Sequence, residues 1–268
     1  MASILDRYGI KEVADVTFYE IDSSTGNPTK PVLYLDTLKV STVEQTAENT
    51  SARGGKGNPE LIVWDYGKEI NVTLEDALFS AKSMAIMFGD VDANGQAAAA
   101  YKATGDTILR TFRKEEIDTT VTGKAYVKIH NQYYDLLSTD FASVVSFYTE
   151  SGASVADGTV SSSFAYAVAT LKTKESTRIE INPDTFPGTY YITGDTYARS
   201  ETSGKDEFFQ FIIRKAKVTS EVTLTMEAEG DPSTFSMNLK VLRPKDGAMM
   251  ELVKYDYAVT GANAKVTE

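Results

Sequence analysis

The chain has no cysteine and only one histidine, His130, in 268 residues. The first absence removes disulfides, thiolate metal sites and cysteine nucleophiles, while saying little about compartment. The second removes any multi-histidine metal centre. His130 would act as a general base only beside a nucleophile, and none is evident; a histidine at a strand end is the plainer reading. No apolar run approaches the roughly 20 residues of a membrane helix, and the N-terminus lacks the basic-then-apolar pattern of a secretory signal, so no membrane insertion is expected. Asn49-Thr50-Ser51 and Asn71-Val72-Thr73 fit the glycosylation pattern, which means nothing without secretion. Basic charge is also scarce: 27 Lys and Arg stand against 38 Asp and Glu, a formal net charge of −11. Tight nucleic-acid binding relies on basic side chains that neutralise phosphates, so this balance argues against a gripping surface. It leaves room for DNA that slides past an acidic wall. No repeat at a fixed period is visible.

What the chain does have is alternation. Val218, Ser220, Val222, Leu224, Met226 and Ala228 lie on one face of a strand, and Thr219, Glu221, Thr223, Thr225 and Glu227 on the other. After Asp231-Pro232, Phe235, Met237, Leu239 and Val241 repeat the apolar face against Thr234, Ser236, Asn238 and Lys240. Period-2 patterning of this kind marks a sheet with one dry and one wet face, and proline fixes φ in the turn between. Similar signals predict strands at Val16 to Ile21, Val32 to Val40, Leu61 to Tyr66 and Ile70 to Leu74. Further strands are expected at Thr107 to Lys114, Thr120 to Ile129, Ser163 to Leu171, Arg178 to Asn182, Thr189 to Arg199 and Glu207 to Arg214. The fold class is therefore mainly β.

Ser41 to Glu60 is polar and glycine-rich. It reads as a long loop between two strands, of the length at which loops are functional or disordered. The expectation is a segment poorly ordered in the free subunit that orders on assembly. One helix is expected to begin at Thr73 and cover residues 74–88, with Leu74, Ala77, Leu78, Ala81, Ala85 and Phe88 near helical spacing. Thr73 would cap it, Glu75 and Asp76 would suit its positive end, and Gly89 would stop it. Gln96 to Ala103 is a second, weaker helical stretch. Residues 131–160 resist assignment and read as an insertion.

Asp90-Val91-Asp92-Ala93-Asn94-Gly95 matches the first half of a calcium loop. Its ninth and twelfth positions are Ala98 and Tyr101, so the closing bidentate glutamate is missing, and a helix-exit turn accounts for the residues. Arg53-Gly54-Gly55-Lys56-Gly57 lacks the Lys-Ser/Thr ending and following helix of a phosphate loop, and Pro59 with a strand comes next. Its two cations suit a carboxylate-rich neighbour. Carboxylates are numerous, yet no pair stands out for glycoside hydrolysis. Tyr190, Tyr191, Tyr197 and the Phe208-Phe209-Gln210-Phe211 cluster would make a carbohydrate platform, though aromatic strand residues more often serve a core or interface. No catalytic centre, cofactor or functional metal is expected.

Met226-Glu227-Ala228-Glu229-Gly230-Asp231-Pro232, followed by Thr234-Phe235-Ser236-Met237-Asn238-Leu239, resembles the closing hairpin of phage major tail tube proteins. Thr46-Ala47-Glu48, Ala52 to Asn58 and Trp64-Asp65-Tyr66-Gly67-Lys68-Glu69 also resemble tail tubes, particularly those of phages of Gram-positive hosts. The likeness covers about half the chain, at its two ends. It implies two packed antiparallel β-sheets in a tail-tube-like sandwich or barrel, with a flanking α-helix and an inserted lobe. Residues 1–130 and 206–268 would form the tube domain, and 131–205 an inserted or decorated outer lobe. Six copies would close a ring, and rings would stack into a tube that conducts DNA without binding it specifically. Closing sheets across subunits removes aggregation-prone edges, and head-to-tail stacking yields an open filament. Six copies at −11 carry −66 formal charges, with Glu69, Glu221 and Glu227 as candidate lumen acids. Thr46, Glu48, Arg53, Gly54, Gly55, Lys56, Gly57 and Asn58 are the candidate inter-ring residues. The implied partners are the chain itself, a tape-measure protein, a tail terminator and baseplate or tail-tip proteins. The implied place is the virion tail, assembled in the host cytoplasm. Two alternatives remain open at this stage: a carbohydrate- or receptor-binding β protein of a virion, and the inner tube of a contractile injection apparatus.

Overall fold

Alternation becomes strand through most of the chain. The computed structural model describes residues 7–89, 101–103, 105–155, 163–219 and 234–255. They divide into two units, one built from residues 1–99 and 179–268 and the other from Ala100–Arg178. The second unit is thus inserted in the chain order of the first. The sequence placed the inserted lobe over residues 131–205, but the strand at 189–200 pairs within the first unit and residues 101–130 go with the second.

The first unit begins with β1 (Tyr8–Ile10), β2 (Asp15–Ile21), β3 (Pro28–Leu35), β4 (Leu38–Arg53), β5 (Glu60–Asp76) and α1 (Ala81–Phe88). The inserted unit holds β6 (Tyr101–Ala103), β7 (Thr107–Arg113), β8 (Ile117–Asp118), β9 (Tyr126–Ile129), β10 (Gln132–Asp135), β11 (Ala142–Tyr148), β12 (Ser154–Val155), β13 (Tyr166–Lys172) and β14 (Ser176–Arg178). The first unit resumes with β15 (Thr189–Ser200), β16 (Asp206–Val218), β17 (Phe235–Val241) and β18 (Met250–Tyr255).

Its strands run β3-β2-β15-β16-β17-β5-β4, every pair antiparallel, with β1 added to β15 and β18 to β16. The two long strands serve two neighbours each along one edge. Tyr191–Asp195 of β15 pair with β2 while Ala198–Ser200 pair with β1; Phe208–Ile213 of β16 pair with β18 while Ala216–Val218 pair with β17. A bulge between Ile213 and Ala216 changes the phase of β16 so that both side chains stay buried, the usual way a strand bends between layers. The result is a β-sandwich without a closed barrel among the described residues. Val16 and Phe18, Ile70, Val72 and Leu74, Ile192, Ile213 and the whole run Phe235, Met237, Leu239 and Val241 fill its core. Burial at about 25 cal/mol per Å² makes each such side chain worth roughly 1.5–3 kcal/mol. Gly194 faces Phe211 across the β15–β16 pair, and a Cβ there would stand 2.1 Å from the ring. Only hydrogen at that position lets the ring lie over the strand.

The C-terminal hairpin is present in its described part, with Val218 opposite Leu239 and Ala216 opposite Val241. The rest of its first strand, with Asp231-Pro232, lies outside the described residues, as do the calcium half-motif at Asp90 to Gly95 and residues 96–100 of the weaker helical stretch. Tyr101–Ala103 of that stretch are strand.

The helix starts later than its apolar spacing predicts. Leu74 is buried in β5 opposite Met237, and the Thr73 hydroxyl donates to the Asn238 side-chain oxygen at 3.0 Å instead of capping. Ser80 is the cap: its hydroxyl accepts from the Ser83 N–H at 3.0 Å, and its own N–H donates to the Ser83 hydroxyl at 2.9 Å. Gly89, at φ 74°, ends the helix. Residues 73–76 satisfy their backbone groups in two ladders at once, so the sheet takes them from the helix.

In the inserted unit, β12-β11-β13-β7 form one sheet and β10-β9-β8 another, over a core of Phe112, Val127, Leu136, Phe164, Ala167 and Leu171. Residues 120–125, expected as strand, are turn and coil, and so are 179–182. His130 is exposed at φ 47° beside Asn131 at φ 64°, forming the two-residue turn between β9 and β10. It is a strand-end histidine, as its isolation in the sequence indicated. The Asp106 carboxylate accepts from Ser176 and from Arg178 Nη2 at 2.9 and 2.7 Å, and its carbonyl accepts the Thr173 N–H. These bonds hold the unit's two chain ends side by side, which is what insertion at one point requires.

Candidate assembly surface

Residues 41–53 are not a loop. They continue β4 and pair with β5 as far as Arg53 opposite Glu60, leaving only residues 54–59 to turn the chain. Gly54 N–H donates to the Pro59 carbonyl and Asn58 N–H to the Gly55 carbonyl, with positive φ at Gly55, Gly57 and Asn58. Sequence reading missed the strand because Ser41 to Ser51 show no apolar alternation. The reason is physical: from Thr42 to Thr50 nearly every residue is exposed, and on β5 every residue from Glu60 to Glu69 is exposed. With both faces in water there is no dry side to pattern.

The hairpin leaves the sheet at a bulge. Thr46 opposes Glu69 and Glu48 opposes Tyr66, so β5 carries one extra residue there, with Gly67 at φ 61°. Glycine adopts that conformation without strain, and a bulge of this type bends and twists the strand. From there to the tip the arm extends about 25 Å at the usual strand rise.

Of the candidate inter-ring residues, Thr46 and Glu48 flank the bulge, Arg53 closes the ladder through an ion pair with Glu60, and Gly54, Gly55, Lys56, Gly57 and Asn58 form the tip. The structure brings all of them onto one projecting element. The signal that the list missed lies on the returning strand: Leu61 and Val63 on one face, Ile62, Trp64 and Tyr66 on the other, all more than half exposed or at the half. The apolar run Leu61 to Trp64, with Tyr66 after Asp65, was visible in the sequence.

Glu69 sits at the base of the arm, exposed, with Lys240 Nζ donating to it at 2.9 Å. Its charge is locally balanced. Glu221 and Glu227 lie outside the described residues. Tyr190, Tyr191 and Phe211 are buried, and Tyr190 packs edge-on against Phe18 with its hydroxyl pKa pushed up to about 12 by desolvation. That half of the aromatic cluster is core, not a sugar platform. Among the described residues no group of three or more His, Asp or Glu is placed to hold a metal, and no helix is long and apolar enough to cross a membrane.

A family profile, that of the YomU/Tube protein family, matches residues 8–254. The chain belongs to that family. It is a phage-associated tube family, in agreement with the tail-tube wording of the two chain ends. No curated protein matches the chain. Membership makes the chain a phage tube-like structural protein, and the match runs through the inserted unit as well as the sandwich.

Proposed function

We propose that the chain is the structural subunit of a bacteriophage tail tube. Copies close into six-fold rings and the rings stack into the conduit through which DNA leaves the virion. The observation that carries this reading is the β4–β5 arm: a two-stranded projection whose returning strand bears exposed apolar side chains on both faces, attached to a sandwich of a tube family. An isolated hairpin is marginal in water, and exposed apolar strands with a free edge are aggregation sites unless a partner covers them. Repeated copies supply that partner. Thr46, Glu48 and Arg53 to Asn58 then lie at the contact between rings, and Glu69, Glu221 and Glu227 contribute to an acidic bore that repels DNA. The inserted unit decorates the outside. Tape-measure, terminator and baseplate or tail-tip proteins meet the bore and the two ends, and assembly takes place in the host cytoplasm. The role is structural and needs no cofactor.

Negative-stain microscopy of the concentrated protein tests the proposal. Rings or tubes support it. A chain that stays monomeric under every salt and seeding condition, and binds glycan instead, would sink it.

A further inference from the structure

The arm's apolar surface has a counterpart in the same unit. Opposite the base of the arm the sandwich is not filled: Val43 and Ile70 on one side, with Phe209, Phe211, Met250 and Leu252 of β16 and β18, line a cavity of about 530 Å³. Glu12 and Gln45 are polar members of its lining. Leu252 is 64% exposed, so the cavity opens as a groove beside β18, which pairs only with β16 among the described residues.

The chain's own arm cannot fill it. Ile70 lines the groove, and Trp64 is six residues farther along the same paired strand, about 20 Å away at strand rise. Trp64 and Tyr66, at 51% and 53% exposure, leave on the order of 200 Å² of aromatic surface in water. With Ile62 beside them and Leu61 and Val63 behind, the arm reaches the few hundred Å² at which an exposed apolar patch marks an interaction site. The polar groups match too. A buried Trp N–H and Tyr O–H need acceptors, and Glu12 and Gln45 offer them. Large aromatics entering a concave apolar site are the usual anchors of an interface.

We propose that Ile62, Trp64 and Tyr66 of one copy dock into the groove lined by Phe209, Phe211, Met250 and Leu252 of the next. Donor and acceptor surfaces differ, so the contact is head to tail, the kind that stacks rings into an open filament when its rotation does not close. The inference rests on the tube reading, and names the surface that receives the arm.

The test uses two features of the sequence. Trp64 is the only tryptophan and there is no cysteine, so fluorescence reports the arm alone and any disulfide joins introduced residues. Full-length Ile62→Cys and Leu252→Cys chains, differing in tag mass, are mixed under assembly conditions and oxidised. The expected product is a bridge between the two variants, absent when either is alone, and the wild-type Trp64 emission moves to shorter wavelength on assembly. Leu252→Asp, at an exposed position, keeps the melting temperature of the subunit and raises the critical concentration for assembly at least about tenfold. Tubes that form with neither bridge nor emission shift overturn the docking and leave the tube reading standing. An emission shift without a bridge overturns it as well, since another surface then covers the arm. Wild-type chains that never assemble sink both.

Discussion

Lys240 reaches diagonally across the β5–β17 pair to Glu69, its Nζ 2.9 Å from the carboxylate although the two residues are 171 apart in sequence. Both side chains are about half exposed. The bond therefore fixes where a carboxylate points more than it stabilises the fold. An exposed pair of this kind contributes about 0–1 kcal/mol and weakens with salt. Glu69→Gln is expected to change urea stability within that range. If Glu69 lines the bore, Lys240→Ala, which frees its charge, makes assembled tubes hold DNA less in low salt. Unchanged DNA retention would remove Glu69 from the lumen.

The arm is expected to be dispensable for folding. Replacing residues 49–65 by Asn-Gly closes the ladder with a two-residue turn between Glu48 and Tyr66. Since the removed side chains bury almost nothing, the melting temperature should stay within a few degrees, while sedimentation shows assembly lost. Tubes from the shortened chain would refute the role given to the arm.

Gly67 sets the direction in which the arm departs. At φ 61° an alanine carries a left-handed strain of roughly 1–2 kcal/mol. Gly67→Ala should weaken assembly more than folding, read by critical concentration against urea midpoint. Equal effects on both would show that the bulge is only structural.

Gly194 is a sharper case. A methyl group 2.1 Å from the Phe211 ring forces the core apart, and overpacking of this kind costs typically 1–3 kcal/mol. Gly194→Ala should lower the denaturant midpoint by that amount, and Gly194→Ala with Phe211→Leu should recover part of it.

Acid should loosen the inserted unit through Asp106. Hydrogen bonds from the Arg178 side chain first, then from the Thr107 backbone and Ser176, hold its carboxyl below the ordinary 3.8. The folded pKa is the lower one, so its contribution is full above the ordinary value and is lost as pH falls below about 3.8 and through the folded pKa. Between pH 5 and pH 2 the wild type should lose more stability than Asp106→Asn, followed by near-ultraviolet circular dichroism. Parallel curves would show that the carboxylate is not linked to folding.

Much of this protein is legible in the residues alone. Phe235, Met237, Leu239 and Val241 declare a buried face because period 2 matches the pleat, and Val16, Phe18 and Val72 do the same. The missing cysteines and the single histidine limit the chemistry without any structure. Tertiary structure decided the rest. Leu74 and Leu78 fit both a helical and an extended period, and the ladder with β17 settled Thr73 to Asp76 as strand. Ser41 to Ser51 became strand because β5 supplies their backbone partners; hydrogen bonding between main chains leaves no mark on side-chain pattern when neither face is dry. The groove beside Leu252 is hidden for the same reason. It is a space between residues distant in sequence, and no local pattern records an absence of packing.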